Sequence, residues 1–480
     1  MNTKKPSHYL SISALSLMSV AAIASLRNLP LMAEAGLSML FFYGLAMLIF
    51  FIPSALVSAE LATAYPQSGG IYTWVKEAFG ERIAFLAVWL QVAKGFVWFP
   101  TVLAFIAGTL AYMFNPTLSE DPYYTLSVIL IVFWLSVYIT CTGHKTSQRI
   151  THLGSLLGVV VPAIFIITLG IYWFFSGNPS HIDFSKDAIV PNLGDFHELT
   201  FLATTLVSLT GMELATVHVQ DLKNPQEDYP KSALLASFII FGVFVLGSLS
   251  IAVIVPQEAI SLDAGVVQAF SGIFSAIRMP WLTPIIAAAL VFGALAAVQV
   301  WLLSPAKTLL VTAQNGTLPP VFQKVNKHGI PVSILITQGI IISLFACCFL
   351  LMPSVNSSFW LLTAIRASIY LIMYVILFAT AIRLRFTQPN LKRPFKISGG
   401  TFGICLIGGL GLLSSLFGII LAFFPSSKVP MGSLLTPELI QFSAVLGVLI
   451  IPFIISSLRK PSWQSKPQEP ASTPELVTLP

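Results

Sequence analysis

Apolar runs long enough to cross a bilayer recur along this chain, with short polar stretches between them. A span takes roughly 20 apolar residues to cross about 30 Å of hydrocarbon, because every backbone amide there must be bonded within its own helix. Twelve spans are expected, over residues 10–33, 38–63, 83–114, 124–142, 151–176, 197–219, 232–255, 282–312, 330–352, 358–383, 400–424 and 436–457. None of the intervening loops is long enough to fold as a separate domain, so one bundle is expected. Residues 1–9 precede the first span, and the tail 458–480, rich in Pro, Ser and Gln, has no apolar period and reads as disordered.

Two of the runs are interrupted. The first, LSISALSLMSVAAIASLRNLPLMAEAG, is apolar up to Ile23 and then meets Ser25, Arg27, Asn28 and Pro30. The sixth meets Ser208, Thr210 and Gly211 and then carries Glu213 and His218. The two lie five spans apart, and five is odd, so the halves 10–176 and 197–383 have opposite orientations. Interrupted helices at matching places of an inverted repeat are the sequence mark of a midplane transport site. Where a helix unwinds there, one half-helix offers free amides and a positive dipole to an anion, and the other offers carbonyls to a cation. An amino acid carries both groups. The backbone at Ile23, Ala24, Ser25 and Leu26 and at Val207, Ser208, Thr210 and Gly211 is therefore expected to hold the α-carboxylate and α-amino groups.

Composition agrees with the spans. Of 480 residues 56% are hydrophobic and only 9% charged, against about a quarter charged in soluble domains. Lys and Arg favour cytoplasmic loops. With the N-terminus inside, the outer loops hold only Lys186, Arg278 and Lys428, so both termini are expected in the cytoplasm. The net charge of +6 follows from that bias and needs no nucleic acid. The first run carries Arg27 and Asn28 and has no small-residue cleavage site, so it is expected to stay as a span. Cys141, Cys347, Cys348 and Cys405 fall in spans as packing residues. There is no metal-ligand spacing, phosphate-binding loop, Gly-x-Ser-x-Gly or convergent nucleophile and base, so no metal, cofactor or enzymatic activity is expected.

Ionisable residues inside a membrane are functional candidates, since each costs several kcal/mol unless paired or wetted. Glu213, just past the sixth-span break, is a candidate to sense or carry a proton, with a structural carboxylate as the plainer reading. His218, which titrates in the useful range, is a second candidate for proton coupling or gating, with a solvated or bonded side chain as the plainer reading. It lies about 140° further round an ideal helix and need not share Glu213's face. Arg366 heads a face with Tyr370 and Tyr374 at i+4 and i+8, which either lines the pathway or packs, while Arg366 either faces the path or snorkels to the outer surface. Arg27 either clamps the substrate or ties the two half-helices together. Glu60, at the inner end of the second span, is expected in an inner polar network.

Several stretches carry a family resemblance. SAELATAYPQSGGIYTWVKEAFG (58–80), GMELATVHVQDLKNPQEDYPKS (211–232) and NGTLPPVFQKVNKHGIPVSIL (315–335) resemble, in order and position, the signatures of the amino acid-polyamine-organocation transporters. AAIASLRNLPLMAEAGLS (21–38), followed by the 58–80 block, is most similar to the bacterial glutamate/γ-aminobutyrate antiporters. The resemblance implies an all-α, LeuT-type 5+5 inverted repeat of twelve transmembrane helices with the first and sixth discontinuous, the core at 10–383 and two accessory helices in 384–457. It implies a bacterial cytoplasmic membrane protein, a monomer or homodimer, exchanging glutamate for γ-aminobutyrate by alternating access. It places Lys94 near the substrate cavity, where it meets a substrate carboxylate or pairs with Glu213, makes Trp301 a gating aromatic, and gives Glu213 a role in coupling pH to gating. The tail is too short and Pro-rich for the folded plug of those antiporters. The fifth-span stretch THLGSLLGVVVPAIF has neither a lysine nor a carboxylate, so no sodium site or lysine substitute is expected. A proton-coupled amino acid symporter is the first alternative; a channel or receptor on the same fold is the second.

Overall fold

A computed structural model describes residues 11–65, 70–142, 156–185, 188–213, 222–314, 316–424 and 437–463. The chain order is α1 Ile12–Ile23, α2 Leu29–Ala33, α3 Gly36–Ala64, α4 Ile71–Phe79, α5 Glu81–Phe114, α6 Pro122–Thr142, α7 Gly158–Phe175, α8 Phe196–Ser208, α9 Pro225–Ile254, α10 Gly265–Ala276, α11 Leu282–Gln314, α12 Val332–Leu351, α13 Val355–Thr387, α14 Gly400–Ala422 and α15 Pro437–Ser457. Among the described residues ten helices are long and apolar enough to cross a membrane, and they match ten of the expected runs. The other two runs are the ones the structure interrupts.

The first run stops at Ile23. Ala24 and Ser25 are extended, a single 3-10 turn covers Leu26–Asn28, and α2 follows. Pro30 at the start of α2 has no amide to give to the turn before it. In the sixth run α8 stops at Ser208, and Gly211 adopts φ +128°, a conformation that side chains rarely take. Residues 214–221, including His218, lie outside the described residues.

Burial separates the inner helices from the peripheral ones. The most apolar stretch of α13 is 83% buried and that of α5 78%, against 22% for α15, so α5 and α13 form the centre and α15 turns most of its apolar surface to lipid. α5 packs on α11 and α13, and α1 on α9. α7 meets α11 at Gly158 and Gly293, where either glycine's missing Cβ would run into the other's backbone. Small residues at such crossings let helix backbones approach closely.

Two helices were not expected. α4 is a short amphipathic helix after the second span, and α10 lies in the connection between the seventh and eighth spans. Just before α10, Asp263 is buried against Gly108 of α5, whose lack of a side chain makes room for it.

Candidate functional site

The two breaks face one cavity of about 110 Å³. Ile23, Ala24, Ser25 and Leu26 line it from the first break, and Val207, Ser208 and Thr210 from the sixth. Lys94 of α5, Trp301 of α11, and Arg366 and Tyr370 of α13 complete the expected set. Gly211 stands behind this wall, its amide donating to the Tyr374 hydroxyl at 2.9 Å. Backbone freed at this depth is tolerable because it lines a cavity or is buried in protein.

Three cations surround the space. Arg27, Lys94 and Arg366 are each less than a tenth exposed, and among the described residues none makes an ion pair. The Lys94 ammonium sits 3.6 Å from the centre of the Tyr370 ring and 4.4 Å from that of Trp301, where the ring quadrupoles offset part of its lost hydration. Arg27 donates to Thr101 of α5 at 2.5 Å and lies 5.5 Å from the Trp98 ring, while its Nε has no partner. Its bond therefore runs to α5 rather than across its own break. The Nε of Arg366 is likewise unpartnered. Arg366 does not snorkel: eleven residues into α13, it is about 16 Å from the helix start by helical rise. No carboxylate lines the cavity among the described residues.

Glu213 is close by but engaged. The hydroxyls of Tyr370 and Tyr374 donate to its two carboxyl oxygens, so the expected aromatic face of α13 is also the cradle of this carboxylate. Tyr370 therefore has two roles, its ring under Lys94 and its hydroxyl on Glu213. Tyr374 links Glu213 to the Gly211 amide and so fastens the sixth-run break to α13. Glu60 belongs elsewhere. It accepts from Arg385 at 2.5 Å and from the Ile397 amide at 2.9 Å, and it pairs with Arg393 at 3.2 Å, joining α3 to α13 and the loop beyond in the polar network expected of it.

Sequence reasoning missed several lining residues. Trp98, Val102 and Phe105 follow Lys94 along one face of α5, and Ala297, Ala294 and Leu290 precede Trp301 along one face of α11. Their helical spacing was the available signal. Trp98 and Trp301 meet with ring centres 5.7 Å apart, forming one wall.

Such a site can bind a zwitterion at the two breaks and a further anion at its cations. Guanidinium groups suit carboxylates because they can donate two parallel hydrogen bonds. Comparison with known proteins agrees with a transporter. A solved structure of MhsT in complex with L-phenylalanine matches with a TM-score of 0.56 and 16% identity, covering 87% of this chain and 100% of that one; the likeness shows the fold, all-α and LeuT-type. An uncharacterized transporter of Legionella pneumophila is 39% identical over 93% of this chain and 96% of its own length. A glutamate/gamma-aminobutyrate antiporter of Lactococcus lactis is 30% identical over 98% of this chain and 94% of its own. The amino acid permease family matches residues 10–451. With that match and a relative of 30% identity along nearly the whole length, the chain belongs to the amino acid permease family, multi-pass membrane transporters of the amino acid-polyamine-organocation superfamily.

Proposed function

We propose that this permease is an antiporter that takes an acidic amino acid, glutamate, in exchange for γ-aminobutyrate. The observation that carries the reading is the set of three buried cations, Arg27, Lys94 and Arg366, around a cavity with no carboxylate in its described lining. A ligand with two carboxylates adds countercharge beyond that of Glu213, which acts on Lys94 from behind Tyr370. In this reading the freed backbone at Ile23–Leu26 and Ser208–Gly211 takes the α-amino and α-carboxylate groups. Trp301 shields the ligand from one side, and Glu213, held by two phenols, couples the sixth-run break to α13. The excess of Lys and Arg on one side supports a bacterial cytoplasmic membrane with both termini inside.

Ligand-induced stabilisation of the purified protein tests the charge argument. A ligand at 100 times its dissociation constant stabilises the folded state by about 2.7 kcal/mol. Glutamate should raise the melting temperature, and leucine, lysine and agmatine at equal concentration should not. Equal stabilisation by leucine would remove the basis for an acidic substrate.

A further inference from the structure

Behind the Trp98–Trp301 wall lies a second, smaller cavity of about 30 Å³ between α5, α11 and α12. Gln91, Lys94, Trp98, Trp301 and Gln338 line it, so Lys94 and both indoles are shared with the main cavity. Gln338, on the ninth of the expected runs, is only 5% exposed and lines the recess. A carboxamide that faces such a recess is suited to hydrogen-bond a ligand group or water held there. The space is large enough for either a water or the end of a side chain.

We propose that this recess is the far subsite of the transporter, which receives the distal carboxylate of the substrate. The inference rests on the exchange reading above and extends it to α12, a helix that the main cavity does not use. Lys94 Nζ supplies the charge, and the carboxamide N–H groups of Gln338 and of Gln91, which also bonds the Tyr370 hydroxyl, supply directed donors; the Trp98 and Trp301 indoles, which touch in this structure, would part to let the distal carboxylate through. Glutamate and γ-aminobutyrate have this distal carboxylate in common. Loss of the α-carboxyl from glutamate leaves the amine and the far carboxylate three methylenes apart, so one recess can read both exchange partners while the α-carboxylate contact remains optional.

The test is exchange kinetics of the full chain in proteoliposomes, for the wild type and for Gln338→Met, Gln338→Glu and Gln91→Met. L-2-aminobutyrate, which has the α-groups and no distal carboxylate, serves as a competing ligand. Gln338→Met should raise KM for both glutamate and γ-aminobutyrate roughly tenfold, the loss of one hydrogen bond to a charged group. Inhibition by L-2-aminobutyrate should stay within about twofold, which also shows that the variant is folded. Gln338→Glu, of the same size, should weaken both substrates further, because its carboxylate occupies Lys94 and repels the ligand; Gln91→Met should follow Gln338→Met. If the wild type exchanges both substrates and the Gln338 variants keep their KM values within twofold, the far subsite is wrong while the exchange reading stands. If L-2-aminobutyrate weakens in parallel with the substrates, Gln338 acts on the whole site and the proposal is likewise overturned. A wild type that exchanges neither substrate removes both readings.

Discussion

Replacing Lys94 with methionine separates two accounts of this cation, and they predict opposite signs. In the structure Lys94 is 8% exposed, rests on two ring faces and makes no ion pair among the described residues. Its hydration is therefore lost before any substrate arrives. A carboxylate about 4 Å from it gains at most ~4 kcal/mol at an effective dielectric of 20. The ligand's own dehydration lowers this, and a hydrogen bond between charged groups nets roughly 1.5–3 kcal/mol. Lys94→Met should thus raise KM for glutamate by about 10- to 150-fold. The ligand-free protein should at the same time melt no lower than the wild type, because methionine fills the same volume and removes an unpaired buried charge. If Lys94 were instead the structural partner of Glu213, removing it would strand a buried carboxylate and cost about 3–5 kcal/mol of stability. The assays are a KM series by glutamate exchange and a thermal melt without ligand. A glutamate KM within twofold of the wild type, or a ligand-free variant that melts markedly lower, would refute the reasoning.

Three further outcomes follow from the fold. Tyr374→Phe keeps the ring against Phe50 but removes the bond to Glu213 and leaves the Gly211 amide buried without its acceptor, a loss of roughly 2–4 kcal/mol; it should melt lower than Tyr370→Phe, which gives up side-chain bonds to Glu213 and Gln91 but strands no backbone amide. Burial pushes the Asp263 carboxyl up to about 7, against the hydrogen bond from Ser261, with Glu120 adding repulsion and Tyr112 and Tyr124 nearby. The folded state then holds this proton more tightly than the unfolded chain, so the stability is complete below the ordinary aspartate value near 4 and is lost as pH rises through 7, by at most about 1.4 kcal/mol per pH unit; melting temperature should fall from pH 5 to pH 8, and Asp263→Asn should flatten that slope. Gly293→Ala would place a methyl 2.5 Å from the Gly158 carbonyl, backbone that cannot move aside, and should cost about 1–3 kcal/mol or more, whereas Gly409→Ala, with open space around it, should melt within a degree or two of the wild type.

Much of the architecture was legible because the bilayer imposes it. Ten apolar runs are ten long helices, and the small and polar residues at Ser25–Asn28 and Ser208–Gly211 mark where two others break. Short amphipathic helices carry weaker signals, so α4 and α10 are hard to read from the pattern, and nothing in the sequence marks Asp263 as buried. At the site, the cations stood out because charge is rare in a span. Their surroundings did not. That Tyr374 bonds Glu213, 161 residues earlier, depends on how the two halves of the fold meet. Arg366 admitted a snorkelling alternative because its depth depends on where its helix begins, and α13 starts at Val355, three residues before the expected boundary. Gln338 gave no signal because a single carboxamide among apolar residues has no period or partner in the sequence to mark it.

The most direct measurement is uptake of labelled glutamate into proteoliposomes that are either empty or preloaded with γ-aminobutyrate, glutamate or leucine, at pH 5 and pH 7. Exchange of acidic amino acids predicts rapid uptake with γ-aminobutyrate or glutamate inside and little with leucine or with nothing. Equal uptake into empty vesicles driven by a proton gradient alone would contradict it and establish a proton-coupled symporter on the same fold.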